Sequence, residues 1–454
     1  MKVNRAGRRD GRGAGREGVV HTVKIIHIVP GSGGGFYCEN CMRDGALVTA
    51  LREQGHDVVL APMYLPLFGD HPGLSRNVPV FFGGINVYLQ QKSRLFRHTP
   101  RWLDRLLDAD WLLQLAALRA RTTRAAGLGE MTLSMLYGEG GHQAKELERL
   151  LAWLRVERPD LVHLSNALLI GLAPRLKSAL GVPVACSLQD EDTWLDGLGP
   201  PHDRWCWDAI AERVPFIDAF FAVSEYYACF ISERLPVPAE CLYTVYPGSD
   251  RVGEARSPLP AEPPVIGYLS RLTPALGLDT LVNAFIELKR DPRLAATRLR
   301  LTGGSTADDA AWLRQLRAVL RGAGVAGDVE FIESFDRESR SRFLQGLTVL
   351  SVPVPKGEAF GAYLIEAMAF GVPVVQPRTG AFEEVIGKTG GGVCYAPNDA
   401  ATLAKTLGGL LTDRGQLQRL ADAGYQAVQG AFNMAATARQ TARIYELVCG
   451  RARG

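Results

Sequence analysis

The chain has 454 residues, 47% of them hydrophobic and 22% charged, with a formal net charge of +3, a soluble globular composition too long for one ordinary core, so two domains are expected. Near-neutrality speaks against a nucleic-acid-binding body, and no apolar run approaches the roughly 18 residues that a membrane span needs. The eight cysteines, scattered apart from one close pair, make no disulfide framework and point to a reducing cytoplasm.

The first twenty residues carry six Lys/Arg against two Asp/Glu. Without an apolar h-region, residues 1–22 read as a disordered basic tail rather than a secretory signal. From Val23 short apolar runs alternate with amphipathic stretches. "VKIIHIVP" is a buried strand, "MRDGALVTALREQGH" a helix ending near Gly55, and "DVVLAPMY" the next strand, which is the unit of a parallel sheet. The stretch from about 62 to 145 breaks the series and reads as an insertion with its own helices. The alternation resumes with "PDLVHLSN", "VPVACSLQD" and "DAFFAVS". A proline-rich join, "SPLPAEPPVIGYLSRL", opens a second series through "LRLTGG", "DVEFIES", "TVLSVPV", "PVVQP" and "GGVCYAP". The expected organisation is therefore α/β, with two doubly wound domains over 23–250 and 251–432 and a last helical segment over 433–454. Ligands in such sheets bind at the carboxyl ends of strands.

In "KGEAFGAYLIEAMAFGVPVV" Glu358 and Glu366 stand eight positions apart, the first between Gly357 and Gly361. The glycines place Glu358 in a loop and start a helix near Gly361. Two helical glutamates so spaced would lie ~12 Å apart, too far for the paired carboxylates of a glycosidase, roughly 5–9.5 Å. Separate tasks follow: Glu358 on substrate hydroxyls, Glu366 on a second group, and the amides of Phe360 and Gly361 open to an anion or a sugar oxygen.

That run resembles the E-x7-E signature of retaining glycosyltransferase family 4. "GYLSRLTPALGLDTLVNAF", "RLRLTGG", "RTGAFEEVIGKTGGGVCYAPND", "AVSEYYACFISERL" and the Gly-rich loop with "ALVTALREQGHDV" extend the likeness over most of the chain. The resemblance implies a GT-B fold of two Rossmann-like domains facing a cleft, the last helix crossing back to the first domain. It implies a nucleotide-diphosphate-sugar donor, an unidentified acceptor (small molecule, lipid or glycan), retention of configuration, and neither metal nor cofactor. Glu358, with the Phe360 and Gly361 amides, would contact the donor sugar; Glu366 would bind the ribose and Arg271 the diphosphate. Gly33 and Gly34 would let the first-domain backbone approach the donor. Asp190, in a loop where the family often offers a histidine, is a hydrogen-bonding or proton-accepting candidate. Leu276 stands where the family usually has a lysine. Losing a charge-assisted bond to a diphosphate costs ~1.5–3 kcal/mol, so the alternative is a weakened homologue that binds a sugar nucleotide or a partner without transfer. A dinucleotide-dependent oxidoreductase is disfavoured, because the third glycine of its fingerprint is replaced by Phe36.

"GSGGGFYCENCMRDGAL" leaves several readings for Cys38 and Cys41: small residues packing a substrate loop, a regulatory or structural dithiol with a depressed pKa, or a zinc half-site without a second close pair. Within the insertion, 94–121 mixes Arg94, Arg97, Arg101 and Arg105 with Trp102 and Trp111. It fits two helices packed on the first domain, or a basic amphipathic face for a peripheral membrane contact or an acidic acceptor.

Overall fold

The computed structural model describes residues 22–31, 37–64, 78, 81–82, 125, 127–254, 259 and 262–453. The expected basic tail, Gly33 and Gly34, and most of the insertion, including 94–121, lie outside the described residues. Two six-stranded sheets, parallel throughout, form the frame. The first contains β1 (Lys24–Val29), β2 (Asp57–Pro62), β3 (Leu161–Leu164), β4 (Val184–Leu188), β5 (Ala219–Ala222) and β6 (Leu242–Thr244), in the order β2-β1-β3-β4-β5-β6. The second contains β7 (Val265–Leu269), β8 (Arg298–Thr302), β9 (Val329–Phe331), β10 (Val349–Leu350), β11 (Val374–Pro377) and β12 (Gly392–Tyr395), in the order β12-β11-β10-β7-β8-β9. Strands such as "KIIHIV" and "VIGYL" are almost wholly buried, as expected where helices cover both faces of a parallel sheet. The doubly wound α/β architecture read from the sequence is the one observed. Only β6 escaped that reading, because three residues carry no periodicity.

Six helices matter for the site: α1 (Glu39–Glu53), α2 (Glu225–Ser232), α3 (Arg337–Gln345), α4 (Ala362–Ala369), α5 (Phe382–Thr389) and α6 (Met434–Arg453). In each sheet the winding direction reverses once, between β1 and β3 and between β7 and β10. A crevice opens at such a reversal because neighbouring strands send their connections to opposite faces. The loops after β1, β7 and β10 therefore converge, carrying Tyr37, Arg271 and Glu358.

The chain passes between the sheets at two touching places. Ser249 and Asn433 form a parallel bridge, with Ser249 N–H donating to the Phe432 carbonyl (2.8 Å) and Met434 N–H to that of Ser249 (3.0 Å). Only a glycine permits this approach: a Cβ on Gly248 would stand 2.2 Å from the Asn433 carbonyl carbon. Beyond the crossing, α6 lays Ala438, Ala442, Tyr445, Val448 and Cys449 into a core with Ile25 of β1 and Val48 and Leu51 of α1. The Tyr445 hydroxyl is 2.6 Å from His163 Nδ1. The second sheet's side of the chain thus completes the core of the first. Tyr445→Ala, which empties a fully buried ring site, is expected to cost about 3–5 kcal/mol in urea unfolding; a loss under about 1 kcal/mol would show that α6 is dispensable to the core.

Candidate active site

The loop after β10 is shaped by glycine. Gly357 has φ +76°, and a Cβ there would lie 2.4 Å from the amide nitrogen of Gly380, so the two loops pack backbone to backbone. Ala381 N–H donates to the Glu358 carbonyl (3.0 Å) and fixes the turn. Gly361, at φ +82°, precedes the first residue of α4. Glu358 accordingly sits in the loop and Glu366 inside the helix, as the glycines predict. Phe360 is buried against Tyr246, with ring centroids 6.5 Å apart. Glu358 Oε2 and the Tyr363 hydroxyl are buried without a hydrogen bond of normal geometry.

The first domain closes the other side. Tyr37 N–H donates to the Gly303 carbonyl (2.8 Å), and its hydroxyl to Glu366 Oε2 (2.9 Å). Glu39 Oε2 accepts the Ala362 N–H (2.7 Å), one of the donors that a helix start leaves unpaired. After β4, Asp190 adopts a left-handed backbone (φ 61°) and its Oδ1 accepts the Ala359 N–H (3.0 Å). Its neighbour Glu191 holds that turn, accepting the amides of Ala167 (3.0 Å) and Gln189 (2.7 Å) and the Tyr227 hydroxyl (2.8 Å). Glu366 Oε1 accepts Arg340 Nε of α3 (2.8 Å) and has Arg251 Nη2 at 3.5 Å. Arg271, after β7, offers a quarter of its side chain to solvent and places Nε 4.0 Å from Asp309. Its carbonyl accepts the Tyr268 hydroxyl (3.0 Å), a group that feels the charges of both Glu358 and Arg271. Leu276, half-buried, packs against the core.

The structure thus gathers Glu358, Phe360, Gly361, Glu366 and Asp190 around the start of α4, while Arg271 is linked to Glu358 through Tyr268, which feels the charge of both. It adds four residues that the sequence reading did not select: Tyr37, Glu39, Arg251 and Arg340. A legible signal existed for Glu39, an acidic residue opening a helix directly after a strand and its loop. Arg251 and Arg340 belong to no motif; folding alone brings them to Glu366.

Crowded acids in a closed cleft resist ionisation. Burial first, then the Glu39 and Asp190 charges, push the Glu358 carboxyl well above its ordinary range. Burial pushes Glu39 up to about 8, against the lowering effect of the Ala362 amide and with Asp190 and Glu366 adding to the rise. Asp190 is pushed to about 6, again chiefly by burial, while the Ala359 amide and Arg43 oppose the shift.

Two facing Rossmann-like sheets with a carboxylate-lined cleft at their reversal points define the GT-B class of glycosyltransferase folds. The description "Glycosyl transferases group 1" matches residues 253–427, and "Glycosyltransferase Family 4" matches 115–251. The chain belongs to glycosyltransferase family 4. A sucrose-phosphate synthase from Thermosynechococcus elongatus superposes with a TM-score of 0.68 at 18% identity, covering 94% of this chain and 100% of that one. Anabaena HepE in complex with UDP and glucose gives 0.64 at 16%, covering 93% and 99%. A D-inositol 3-phosphate glycosyltransferase of Catenulispora acidiphila is 31% identical over 44% of this chain and 47% of its own. A GDP-mannose-dependent alpha-(1-6)-phosphatidylinositol monomannoside mannosyltransferase of Mycolicibacterium smegmatis is 34% identical over 41% and 48%. The chain spans about half the length of these curated relatives.

The carboxyl shifts carry a sign. Between its ordinary value of 4.5 and about 8 in the closed cleft, Glu39 binds more protons closed than open, so rising pH favours opening. Small-angle scattering of the ligand-free protein is expected to show expansion between pH 5 and 8.5, with a flatter profile in Glu39→Gln; identical profiles would remove Glu39 from the balance.

Proposed function

We propose that this chain transfers a sugar from a nucleotide-diphosphate donor to an acceptor held by the first domain, with retention of configuration and without a metal. The observation that carries this reading is the start of α4, where the Ala362 N–H, between Glu358 and Glu366 in the chain, already holds a carboxyl oxygen of Glu39. Negative charge grows on the departing diphosphate during transfer, and a helix N-terminus with a nearby guanidinium stabilises it without reorganisation. Arg271 supplies that guanidinium. Glu366 takes the ribose hydroxyls, its charge held by Arg340 and Arg251. Glu358, with the Phe360 and Gly361 amides, takes the sugar hydroxyls. Asp190 faces the acceptor hydroxyl.

The relatives' names suggest the first substrates to try: UDP-glucose and GDP-mannose as donors, D-inositol 3-phosphate and phosphatidylinositol mannosides as acceptors. Among the described residues no helix is long and apolar enough to cross a membrane, so a lipid acceptor would be met at the surface. Leu276 supports a second reading, a homologue that binds a sugar nucleotide without turning it over.

UDP, GDP and ADP with their sugar conjugates separate these readings. A nucleotide at 100 times its dissociation constant should stabilise the protein by ~2.7 kcal/mol, an effect lost in Glu366→Ala. Glu358→Gln should retain binding while transfer falls by about 100-fold or more. Binding without transfer to any acceptor selects the second reading, and no thermal shift with any nucleotide rejects both.

A further inference from the structure

The CxxC pair belongs to neither the proposed chemistry nor the sheet core, yet it brackets one of the two residues that occupy the donor-binding groups. Cys38 is the residue before α1, with an extended backbone (φ −116°, ψ 99°), and Cys41 lies in the helix's first turn. Their sulfurs are 3.0 Å apart, and both side chains are partly accessible. Glu39 sits between them with its carboxylate on the Ala362 amide, and Tyr37 directly before them with its hydroxyl on Glu366. Both acceptor and donor here are groups that the proposed function assigns to the nucleotide sugar, so this inference rests on that reading. A donor that is to reach them must first turn Tyr37 and Glu39 away.

We propose that Cys38 and Cys41 are a reversible thiol–disulfide site, and that the disulfide locks Tyr37 and Glu39 over the donor-binding groups. The sulfurs must approach by about 1 Å to reach a bond length of ~2.04 Å, and the resulting ring ties the residue before the helix to its first turn. That ring removes the local freedom by which Glu39 would leave Ala362. Hydrogen bonding between the two sulfurs lowers the Cys38 thiol below its usual range, which favours Cys38 as the attacking thiolate. The oxidant is a low-molecular-weight disulfide. The Cys38 thiolate, its proton released to solvent, attacks one sulfur of that disulfide and expels the other as a thiolate. Cys41, losing its own proton, then attacks the Cys38 sulfur of the mixed disulfide and expels the second thiolate. One disulfide forms, one breaks, and two small thiols leave with the two electrons and two protons.

The full-length protein is equilibrated with oxidised or reduced glutathione. Remaining thiols are alkylated and mapped by mass, and the dissociation constants of UDP, GDP and ADP are measured by calorimetry. The expected result is a Cys38–Cys41 disulfide in the oxidised sample, with the nucleotide bound at least about tenfold more weakly and affinity restored by dithiothreitol. Cys41→Ser and Cys41→Ala should bind alike in both buffers. A mapped disulfide with unchanged or tighter binding overturns the lock while leaving the donor site intact, as does failure of the pair to oxidise. A reduced protein that binds none of the three nucleotides instead overturns the donor-site reading, and the lock with it.

Discussion

Four carboxylates drawn to one helix start are the constraint around which the cleft is organised. Glu39, Asp190, Glu358 and Glu366 come from both domains, and their charges oppose one another: Glu358 feels Glu39 and Asp190, and Glu39 feels Asp190 and Glu366. The closed form reduces that repulsion unequally. Glu366 is given two guanidinium groups, Glu39 and Asp190 one backbone amide each, and Glu358 Oε2 none. The least compensated carboxyl is therefore the one at the centre, beside Gly361, where a substrate with hydroxyl groups would bring the missing partners.

The frame was legible because parallel sheets buried on both faces write themselves as short apolar runs, and eleven of those runs are quoted among the predicted strands. The placement of Glu358 in a loop and Glu366 in a helix followed equally from local glycine chemistry. Longer-range geometry was not readable. Tyr37 meets Glu366 across 329 positions and Glu39 meets Ala362 across 323; no periodicity links such pairs.

Arg340 and Arg251 illustrate a different limit. Arg340 lies on a helix with no recognisable motif, and Arg251 just after the chain's first crossing, where its side chain is only 1% exposed. A buried guanidinium needs polar partners: its two terminal nitrogens find Ser341, the Arg337 carbonyl, Glu254 and, at longer range, Glu366, while Nε has only the Asp250 carboxylate at 3.7 Å. Each of these lies in the second domain or in the approach to it, so the guanidinium's place is dictated by a neighbourhood that exists only after folding.

The paired crossings at Ser249 and Asn433 have a mechanical meaning. Two separate connections between lobes would resist bending about any line that does not run through both. Here the connections touch, so they act as a single axle with one easy rotation. Sliding one lobe past the other would tear the backbone bonds joining Ser249 to Phe432 and Met434, whereas rotation about them leaves those bonds whole. Rotation about the axle would open the cleft like a jaw while its deepest edge kept its register.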